Sequence, residues 1–263
     1  MLELQNVSVI FNKGTITETL ALDDLSVEVK SGDYVTVIGS NGAGKTTMIE
    51  AVAGTVSVHS GRIMLLGRDV TKLPDYVRAS HIGRVFQNPL AGTSPLMSIE
   101  ENLALASLRG NRHTLRLGVT GSRRSRFRDV LSELGIGLED RLSDPVSWLS
   151  GGQRQCLTLA MATLQKPDVL LLDEHTAALD PKNQELVMKI TDRVIAEHNL
   201  TVVMVTHNMA QALKHGNRTV MMHQGRIAAS FGPEEKKTLT PEHLIARFHD
   251  IRSAVFTDRA LLA

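Results

Sequence analysis

Residues 39–47 read GSNGAGKTT, which combines a flexible backbone with one ammonium group and two threonine hydroxyls. The apolar run YVTVI precedes this stretch and MIEAVAG follows it, so the pattern predicts a strand, a loop and a helix. Glycines let successive backbone N–H groups face phosphate oxygens, and a helix that begins near Lys45 adds the positive end of its dipole. Lys45 can reach the β- and γ-phosphates, and the Thr46 hydroxyl can bind Mg²⁺. The spacing therefore predicts a nucleoside triphosphate site made of Gly39, Ser40, Asn41, Gly42, Ala43, Gly44, Lys45, Thr46 and Thr47.

Two carboxylates follow another apolar run. Residues 169–174 read VLLLDE, which predicts a buried strand with Asp173 and Glu174 at its carboxyl end. In an open parallel sheet this is the edge where ligands bind, beside the loop described above. Asp173 can hold magnesium through its water shell, and Glu174 can polarise the water that attacks the γ-phosphorus, a role typically worth about 10²–10⁴-fold. A third run, TVVMVT, leads to His207, which we expect at the same edge.

These residues need a parallel sheet to bring them together. Continuous apolar strands that alternate with helices predict such a sheet, with both of its faces covered. Residues 89–149 are rich in Leu, Arg and Ser, so we expect an inserted helical subdomain there, and a helical tail from about residue 233. The predicted strands are residues 2–11, 25–29, 34–38, 62–66, 82–86, 169–173 and 201–206, and the predicted helices are residues 45–53 and 183–198, with further helices from about 209 and 241.

The composition limits the classes of function. The chain has 263 residues, 42% of them hydrophobic, which is enough for one α/β domain with a substantial core. A formal net charge of +1 argues against bulk nucleic-acid binding. A single cysteine, Cys156, allows no disulfide within the chain, and we expect it to be a small buried residue. The N-terminus lacks the basic region of a secretory signal, and no apolar run approaches roughly 18 residues, so we expect any membrane role to come through a partner.

Residues 149–155 read LSGGQRQ, directly before a stretch rich in Leu and Ala. Ser150, followed by Gly151 and Gly152, predicts the start of a helix. There the Ser150 hydroxyl and the free backbone N–H groups would form a second anion site. This string resembles the signature of the ATP-binding cassette family, and the resemblance extends over nearly the whole chain. It implies a single domain with a P-loop NTPase core and a mostly parallel sheet, over about residues 1–88 and 150–232. The implied domain also contains an N-terminal antiparallel β subdomain, the helical subdomain at 89–149 and a helical tail at 233–263.

The resemblance also implies roles for residues that spacing alone leaves undefined. Phe11 matches the family's adenine-stacking aromatic residue, and Gln87, in VFQNP, matches its Q-loop glutamine beside the metal. Asp180, in AALD, matches the D-loop residue at the dimer interface, and His207 matches the switch histidine. The resemblance thus implies an ATPase with Glu174, His207 and Lys45 as catalytic residues and with Thr46, Gln87 and Asp173 at Mg²⁺. In a head-to-tail homodimer, the γ-phosphate held by the opposite protomer would be bound by Ser150, Gly151, Gly152 and Gln153.

A free-standing cassette of this kind resembles the ATPase subunits of bacterial importers. The resemblance implies a separate integral membrane permease, bound at the helical subdomain and the Q-loop groove, an extracytoplasmic substrate-binding protein, and a cytoplasmic position at the inner face of the membrane. The run DEHTAALDPK is similar to one importer branch, some members of which are associated with aromatic amino acids. Short single cassettes that extract lipoproteins or act as division-site scaffolds are the alternative. A nucleotide-binding module without turnover would normally lack Glu174 or His207, and both are present.

Two features leave their interpretation open. His175 stands where the family usually has proline, and it is either a pH-sensitive group beside Glu174 or a tolerated variation. Residues 109–128 contain seven arginines and no acidic residue. These arginines either face anionic lipid headgroups or belong to a solvated loop.

Overall fold

The computed structural model of the protein describes residues 1–110 and 118–261, and its strands form two sheets. The strands are β1 (Leu2–Phe11), β2 (Thr19–Val29), β3 (Tyr34–Gly39), β4 (Ser60–Leu65), β5 (Arg68–Asp69), β6 (Ile82–Val85), β7 (Val169–Asp173), β8 (Thr201–Val205), β9 (Arg218–His223) and β10 (Arg226–Phe231). The helices are α1 (Lys45–Ala53), α2 (Asp75–Arg78), α3 (Ile99–Ala106), α4 (Gly121–Ser132), α5 (Gly151–Thr163), α6 (Pro181–His198), α7 (Met209–Lys214), α8 (Pro233–Thr238) and α9 (Pro241–Leu261).

The first sheet is antiparallel and has the strand order β2-β1-β4-β5. Strand β1 lies in the interior of this sheet, and its residues Leu2, Leu4, Val7 and Val9 are buried. The side chains of β1 therefore supply one wall of a core, while the polar residues between them face outward. This sheet confirms the expected N-terminal antiparallel part of the fold.

The second sheet has the order β10-β9-β3-β8-β7-β6, in which all neighbours are parallel except the pair β10 and β9. Every residue of β7 and β8 is buried, as expected for strands covered on both faces. In the register of the sheet, Asp173 pairs with Val205, and Val205 pairs with Val37. The last residue of β7 therefore lies level with the end of β3, from which the phosphate-binding loop begins. The mostly parallel core predicted from the sequence is confirmed.

Two cores lie on opposite faces of this parallel sheet. Leu170 and Leu172 of β7 point into a cluster with the helices α3 to α6, whereas Val169 and Leu171 point into a cluster with α1 and the antiparallel sheet. Successive residues of one strand thus bury against different layers, as the two-residue period of a strand requires. A third cluster, around Leu244, packs α7 and α9 beside β9 and β10. The buried position of Cys156 in the first cluster also confirms the sequence prediction.

Some boundaries differ from the sequence predictions. Strand β2 begins at Thr19, six residues earlier than predicted, because its polar first half pairs with the end of β1. Strands β9 and β10 lie outside the predicted set. Strand β10 is an edge strand with alternating burial, and this gives a weaker apolar pattern than the interior strands have. Among the described residues, no helix is both long and apolar enough to cross a bilayer.

Four arginines of the segment 109–128 donate hydrogen bonds within the described part of the protein, and one of them, Arg123, donates to the carbonyl oxygen of Gly118 at 2.8 Å. Arg109 and Arg126 donate hydrogen bonds to the carbonyl oxygens of Ala162 and Leu164, at the C-terminal end of α5. Arg124 forms two hydrogen bonds of 2.6 and 2.8 Å with the carboxylate of Glu100 on α3. These contacts tie the helical part together, although the side chains of Arg124 and Arg126 remain exposed to solvent. Arg112 and Arg116 of the same segment lie outside the described residues.

Candidate nucleotide-binding site

The loop between β3 and α1 has the shape that the glycine spacing predicts. Gly42 has a φ of 77°, and no heavy atom lies within 4 Å of the position that a Cβ would occupy there. Gly44 has a φ of 93°, and a Cβ at this residue would lie 2.6 Å from the carbonyl oxygen of Ala21 on β2. At position 42, glycine is therefore favoured by the backbone conformation alone. At position 44, it is required both by the backbone conformation and by the close approach of the antiparallel sheet.

The turn between β9 and β10 contacts the backbone of this loop at Ala43. The Gly225 N–H donates a 3.1 Å hydrogen bond to the carbonyl oxygen of Ala43, and the Gly225 carbonyl accepts one from the Asp23 N–H on β2. Arg226 forms an ion pair of 2.7 Å with the Asp23 carboxylate. A hairpin outside the predicted set of strands thus connects the phosphate-binding loop to the antiparallel sheet. Phe11, the last residue of β1, lies in that same sheet and is partly exposed.

Lys45 is the first residue of α1 and is buried. Its Nζ donates hydrogen bonds of 2.8 and 3.1 Å to the carbonyl oxygens of Gly39 and Ser40. Burial lowers the pKa of Lys45, whereas the nearby Glu174 and Asp173 carboxylates act in the opposite direction. The ammonium group therefore lies between the loop and the strand-end acids, where it can contact a bound phosphate.

Asp173 and Glu174 lie at the end of β7 in different environments. Asp173 is buried, and its Oδ2 lies 3.4 Å from Nη2 of Arg84 on β6. Burial raises the pKa of Asp173, and the Arg84 guanidinium partly offsets this effect. Glu174 has a φ of 43°, in the left-handed region that residues other than glycine seldom adopt. This turn directs its carboxylate away from the strand and toward the neighbouring loops.

The Glu174 carboxylate meets two other residues that the sequence analysis proposed. Its Oε2 lies 3.3 Å from Nδ1 of His207 and accepts a 3.4 Å hydrogen bond from Nε2 of Gln87. The His207 side chain is 59% exposed, whereas that of Glu174 is 18% exposed. The structure thus brings Lys45, Asp173, Glu174, Gln87 and His207 to one edge of the sheet, although they are distant in sequence.

The donor groups at this edge suit magnesium bound together with a phosphate. Thr46 is exposed beside Lys45, and Asp173 is the buried carboxylate near it. Within residues 1–110 and 118–251, no group of three or more His, Cys, Asp or Glu side chains could hold a metal ion. Magnesium commonly binds through one or two protein oxygens, completed by phosphate oxygens and water. The residues present therefore fit a magnesium–triphosphate complex and not a metal site made of protein ligands alone.

The signature residues form a second group on neighbouring helix ends. Ser150 caps α5, because its Oγ accepts a hydrogen bond from the Gln153 N–H and the Gln153 side chain accepts one from the Ser150 N–H. Asp180 caps α6, because its carboxylate accepts hydrogen bonds from the N–H and from the side-chain amide of Asn183, whose side chain also packs against Gly152. In the described part of the chain, no hydrogen bond or ion pair joins this second group to Lys45, Asp173 or the phosphate-binding loop. Within one chain, the two groups are therefore not joined by a polar contact.

His175 and the C-terminal helix border the site in ways that the sequence does not reveal. His175 is 3% exposed, and burial is the main cause that lowers its pKa to about 4. It is therefore neutral over the range of about pH 5 to 8 in which a histidine switch operates, which disfavours the pH-sensor interpretation. Ile245 and Phe248 of α9 line a cavity of about 320 Å³, together with the start of the phosphate-binding loop and His207.

A phosphate-binding loop, a strand that ends in two acids and a mostly parallel sheet define the class of P-loop nucleoside triphosphatases. Comparisons with known proteins agree with this class. The ABC transporter family model matches residues 22–177. A tyrosine transport ATP-binding protein from Clostridioides difficile (strain R20291) is 39% identical over 248 residues, which cover 94% of this chain and 98% of that protein. A methionine import ATP-binding protein from Corynebacterium efficiens is 30% identical, with coverage of 93% of this chain and 66% of that protein.

The solved structures include a dimeric ATP-binding cassette in a post-hydrolysis state, bound to ADP and Pi. It has a TM-score of 0.76 and 28% identity, and the match covers 89% of this chain and 99% of that one. The chain therefore belongs to the ABC transporter family. It is an ATP-binding subunit of such a transporter, and it is an ATPase that uses ATP with Mg²⁺.

Proposed function

We propose that this protein powers a bacterial importer of a small solute, and that an aromatic amino acid is the substrate class to test first. The observation that carries this proposal is the similarity to the tyrosine transport ATP-binding protein, which extends over 94% of this chain and 98% of that protein. The methionine relative, which is named for import, supports the direction of transport. Since the nucleotide-site residues would not contact the transported solute, the substrate class rests on this similarity alone.

In the proposed hydrolysis, each residue at the sheet edge has a separate task. The loop N–H groups and Lys45 bind the phosphates, and Thr46 and Asp173 hold the metal, with Gln87 beside it. When bound, Mg²⁺ neutralises charge on the phosphate oxygens. Glu174 accepts a proton from the attacking water, and His207, 3.3 Å from the Glu174 carboxylate, orients that carboxylate and the γ-phosphate.

We propose that a second copy of the chain completes the site. The lack of polar contact between the two groups supports this proposal. In the described part of the chain, no hydrogen bond or ion pair joins the phosphate-binding loop to Ser150, Gly151, Gly152, Gln153 or Asp180, so that each chain would present two half-sites. The helix end at Ser150 offers N–H groups and a positive dipole end for a γ-phosphate held by the partner. ATP would then close a head-to-tail homodimer, and hydrolysis would open it by removing a group that both halves bind.

The permease is expected to bind where apolar side chains are exposed around the helical part and the segment before it. Tyr76 is 74% exposed and Leu96 is 91% exposed. Tyr76 also lines a cavity of about 180 Å³ with Arg84 and Phe86. Arg84, which lines this cavity, also contacts Asp173, the proposed metal ligand. Among the described residues, the other large apolar side chains exposed in this region are those of Leu73, Val77, Leu90, Leu105 and Trp148.

Binding to a permease would place the protein at the inner face of the cell membrane, where a substrate-binding protein on the opposite side would deliver the solute. The test is uptake of labelled tyrosine, phenylalanine and tryptophan by cells of the native host that lack this protein. We expect the wild-type chain to restore uptake of at least one of them and Lys45→Ala to fail. Equal uptake with and without the protein would refute the substrate class.

A second measurement separates import from the other single-cassette functions. Tagged wild-type protein is purified in detergent beside the variant Tyr76→Glu, and the chains that accompany each are identified by mass spectrometry. A polytopic membrane protein that accompanies the wild type and is lost with Tyr76→Glu would support the proposed permease surface. Recovery of lipoprotein-extraction or division-site partners instead would leave the ATPase in place and refute the importer.

A further inference from the structure

The position of the proposed catalytic base depends on an unusual backbone conformation. Glu174 has a φ of 43° although it carries a full side chain. Residues in this region persist only where surrounding structure holds them, and they concentrate at functional sites. Among the described residues, the carboxylate itself has two hydrogen-bond partners, His207 and Gln87, at the long distances of 3.3 and 3.4 Å. Its location must therefore be set mainly by the turn that carries it.

The turn is held by two backbone hydrogen bonds and one buried side chain. The Glu174 N–H donates to the carbonyl oxygen of Val205 at 3.0 Å, and the Glu174 carbonyl accepts from the Ala177 N–H at 2.9 Å. The next residue, His175, is directed inward, and its Nε2 lies 3.3 Å from Oγ1 of Thr191 in the middle of α6. Thr191 is fully buried as well.

The direction of this side-chain hydrogen bond follows from its surroundings. The Thr191 hydroxyl donates its proton to the Val187 carbonyl oxygen at 2.8 Å. A hydroxyl has one proton to donate, so towards the imidazole Thr191 Oγ1 can act only as an acceptor. We therefore assign the proton of His175 to Nε2. The bond requires both the imidazole N–H and the threonine oxygen, which makes it testable from either side.

Helix α6 holds both ends of the segment 174–180. At the first end the imidazole of His175 reaches Thr191, and at the second end Asp180 accepts a 3.2 Å hydrogen bond from the Asn183 N–H. Because a helix is stiff, these two attachments fix the spacing between Glu174 and Asp180.

We propose that His175 is a positioning residue for hydrolysis, which holds the Glu174 turn against α6 through its hydrogen bond to Thr191. This inference rests on the proposed role of Glu174 as the base. A small displacement of a reacting group can lower the rate by up to about 10²-fold while leaving substrate binding unchanged. The hydrogen bond between His175 and Thr191 thus restrains the segment that carries the base.

The test measures ATPase kcat and KM for the full-length protein. We expect His175→Ala and Thr191→Val each to lower kcat by about tenfold or more, with the KM for ATP changed by less than about twofold. The double variant should be no slower than the slower single variant, because both remove the same contact. Thr191→Ser keeps the hydroxyl and should retain most of the activity.

A matched control tests whether any buried helix threonine has this effect. Thr163 on α5 is also buried, and its Oγ1 also donates to the carbonyl oxygen four residues earlier, at 2.9 Å. We expect Thr163→Val to retain the wild-type kcat. Titration with a non-hydrolysable ATP analogue counts the competent sites in each variant, so that a loss of folded protein is separated from a loss of turnover per site.

Three outcomes would overturn the proposal. The first is a kcat within about twofold of wild type for both His175→Ala and Thr191→Val. The second is a loss that disappears when kcat is expressed per competent site, and the third is fully additive losses in the double variant. Glu174→Gln, measured in parallel, separates this proposal from the proposed function. If Glu174→Gln is inactive while His175→Ala is fully active, only the positioning role fails, whereas an active Glu174→Gln refutes the base itself.

Discussion

Replacement of Glu174 by glutamine tests the proposed chemistry most directly. The amide has nearly the same shape as the carboxylate but cannot accept the proton of the attacking water. Lys45 and the loop glycines remain, and the substitution leaves the Glu174 N–H and its hydrogen bond to Val205 in place. We therefore expect ATP binding to persist while turnover is lost, and the protein to accumulate as an ATP-bound closed dimer.

The size of the effect follows from what could replace the missing base. General-base catalysis is typically worth about 10²–10⁴-fold, which corresponds to about 3–5 kcal/mol of transition-state stabilisation. The neighbouring carboxylate is Asp173, but its Oδ2 lies 3.4 Å from the Arg84 guanidinium and it is expected to hold the metal. The His207 imidazole is largely exposed and contacts Glu174 itself. With no well-placed substitute, we expect a loss of about 10³-fold in kcat.

The assay combines phosphate release at saturating ATP, titration with a fluorescent ATP analogue, and size-exclusion chromatography with ATP and Mg²⁺. The exposed Glu197→Gln on α6 is the matched control and should behave as wild type. A Glu174→Gln variant with kcat within about tenfold of wild type would refute the assignment of Glu174 as the base. A variant that no longer binds ATP would show instead that the carboxylate supports the phosphate-binding loop.

Three further predictions concern the dimer, a buried amine and a buried thiol. Ser150→Arg, made in the Glu174→Gln background, should abolish the ATP-dependent dimer in size-exclusion chromatography while each monomer still binds ATP, and an unchanged dimer peak would count against the trans half-site. Burial lowers the pKa of Lys236, whose Nζ donates to the His215 carbonyl, to about 8; the unfolded chain then binds more protons between about pH 8 and 10.5, so the free energy of unfolding should rise with pH across this window. Denaturant titrations of wild type and Lys236→Met should differ in this slope, and equal slopes would contradict the assignment. Burial raises the pKa of Cys156 to about 12, so its thiol should react with a disulfide reagent at pH 8 only after unfolding, and rapid reaction of the native protein would show that the thiol is accessible.

The chemistry of the nucleotide site could be predicted from the sequence because its signals are local. The phosphate-binding loop is nine consecutive residues whose glycine spacing, lysine and following helix all lie within one short stretch. Asp173 and Glu174 likewise come directly after a short apolar run, which predicts a buried strand. The order of strands and helices then predicted the parallel sheet, and the structure confirms it.

The contacts that support these residues could not be predicted, because they join segments far apart in the chain. Arg84 contacts Asp173, which lies 89 positions later in the chain. The Gly225 turn donates to Ala43 from the end of a hairpin whose second strand, β10, has a weak apolar pattern. The arginines at 109 and 126 resembled a charged loop in sequence, yet they bond carbonyl groups at the end of α5. Only packing shows which face of an element such a side chain occupies.

The sequence by itself determined that this chain binds a nucleoside triphosphate, because the required residue types and spacings are contained in short continuous motifs. Only the tertiary structure decided how the proposed base is held, through the left-handed turn at Glu174 and the hydrogen bond between His175 and Thr191. It also decided that the signature residues lie apart from the loop of their own chain. The physical reason is that a motif specifies local chemistry, whereas the position of one motif relative to another depends on the sheet register and on the helices packed against it.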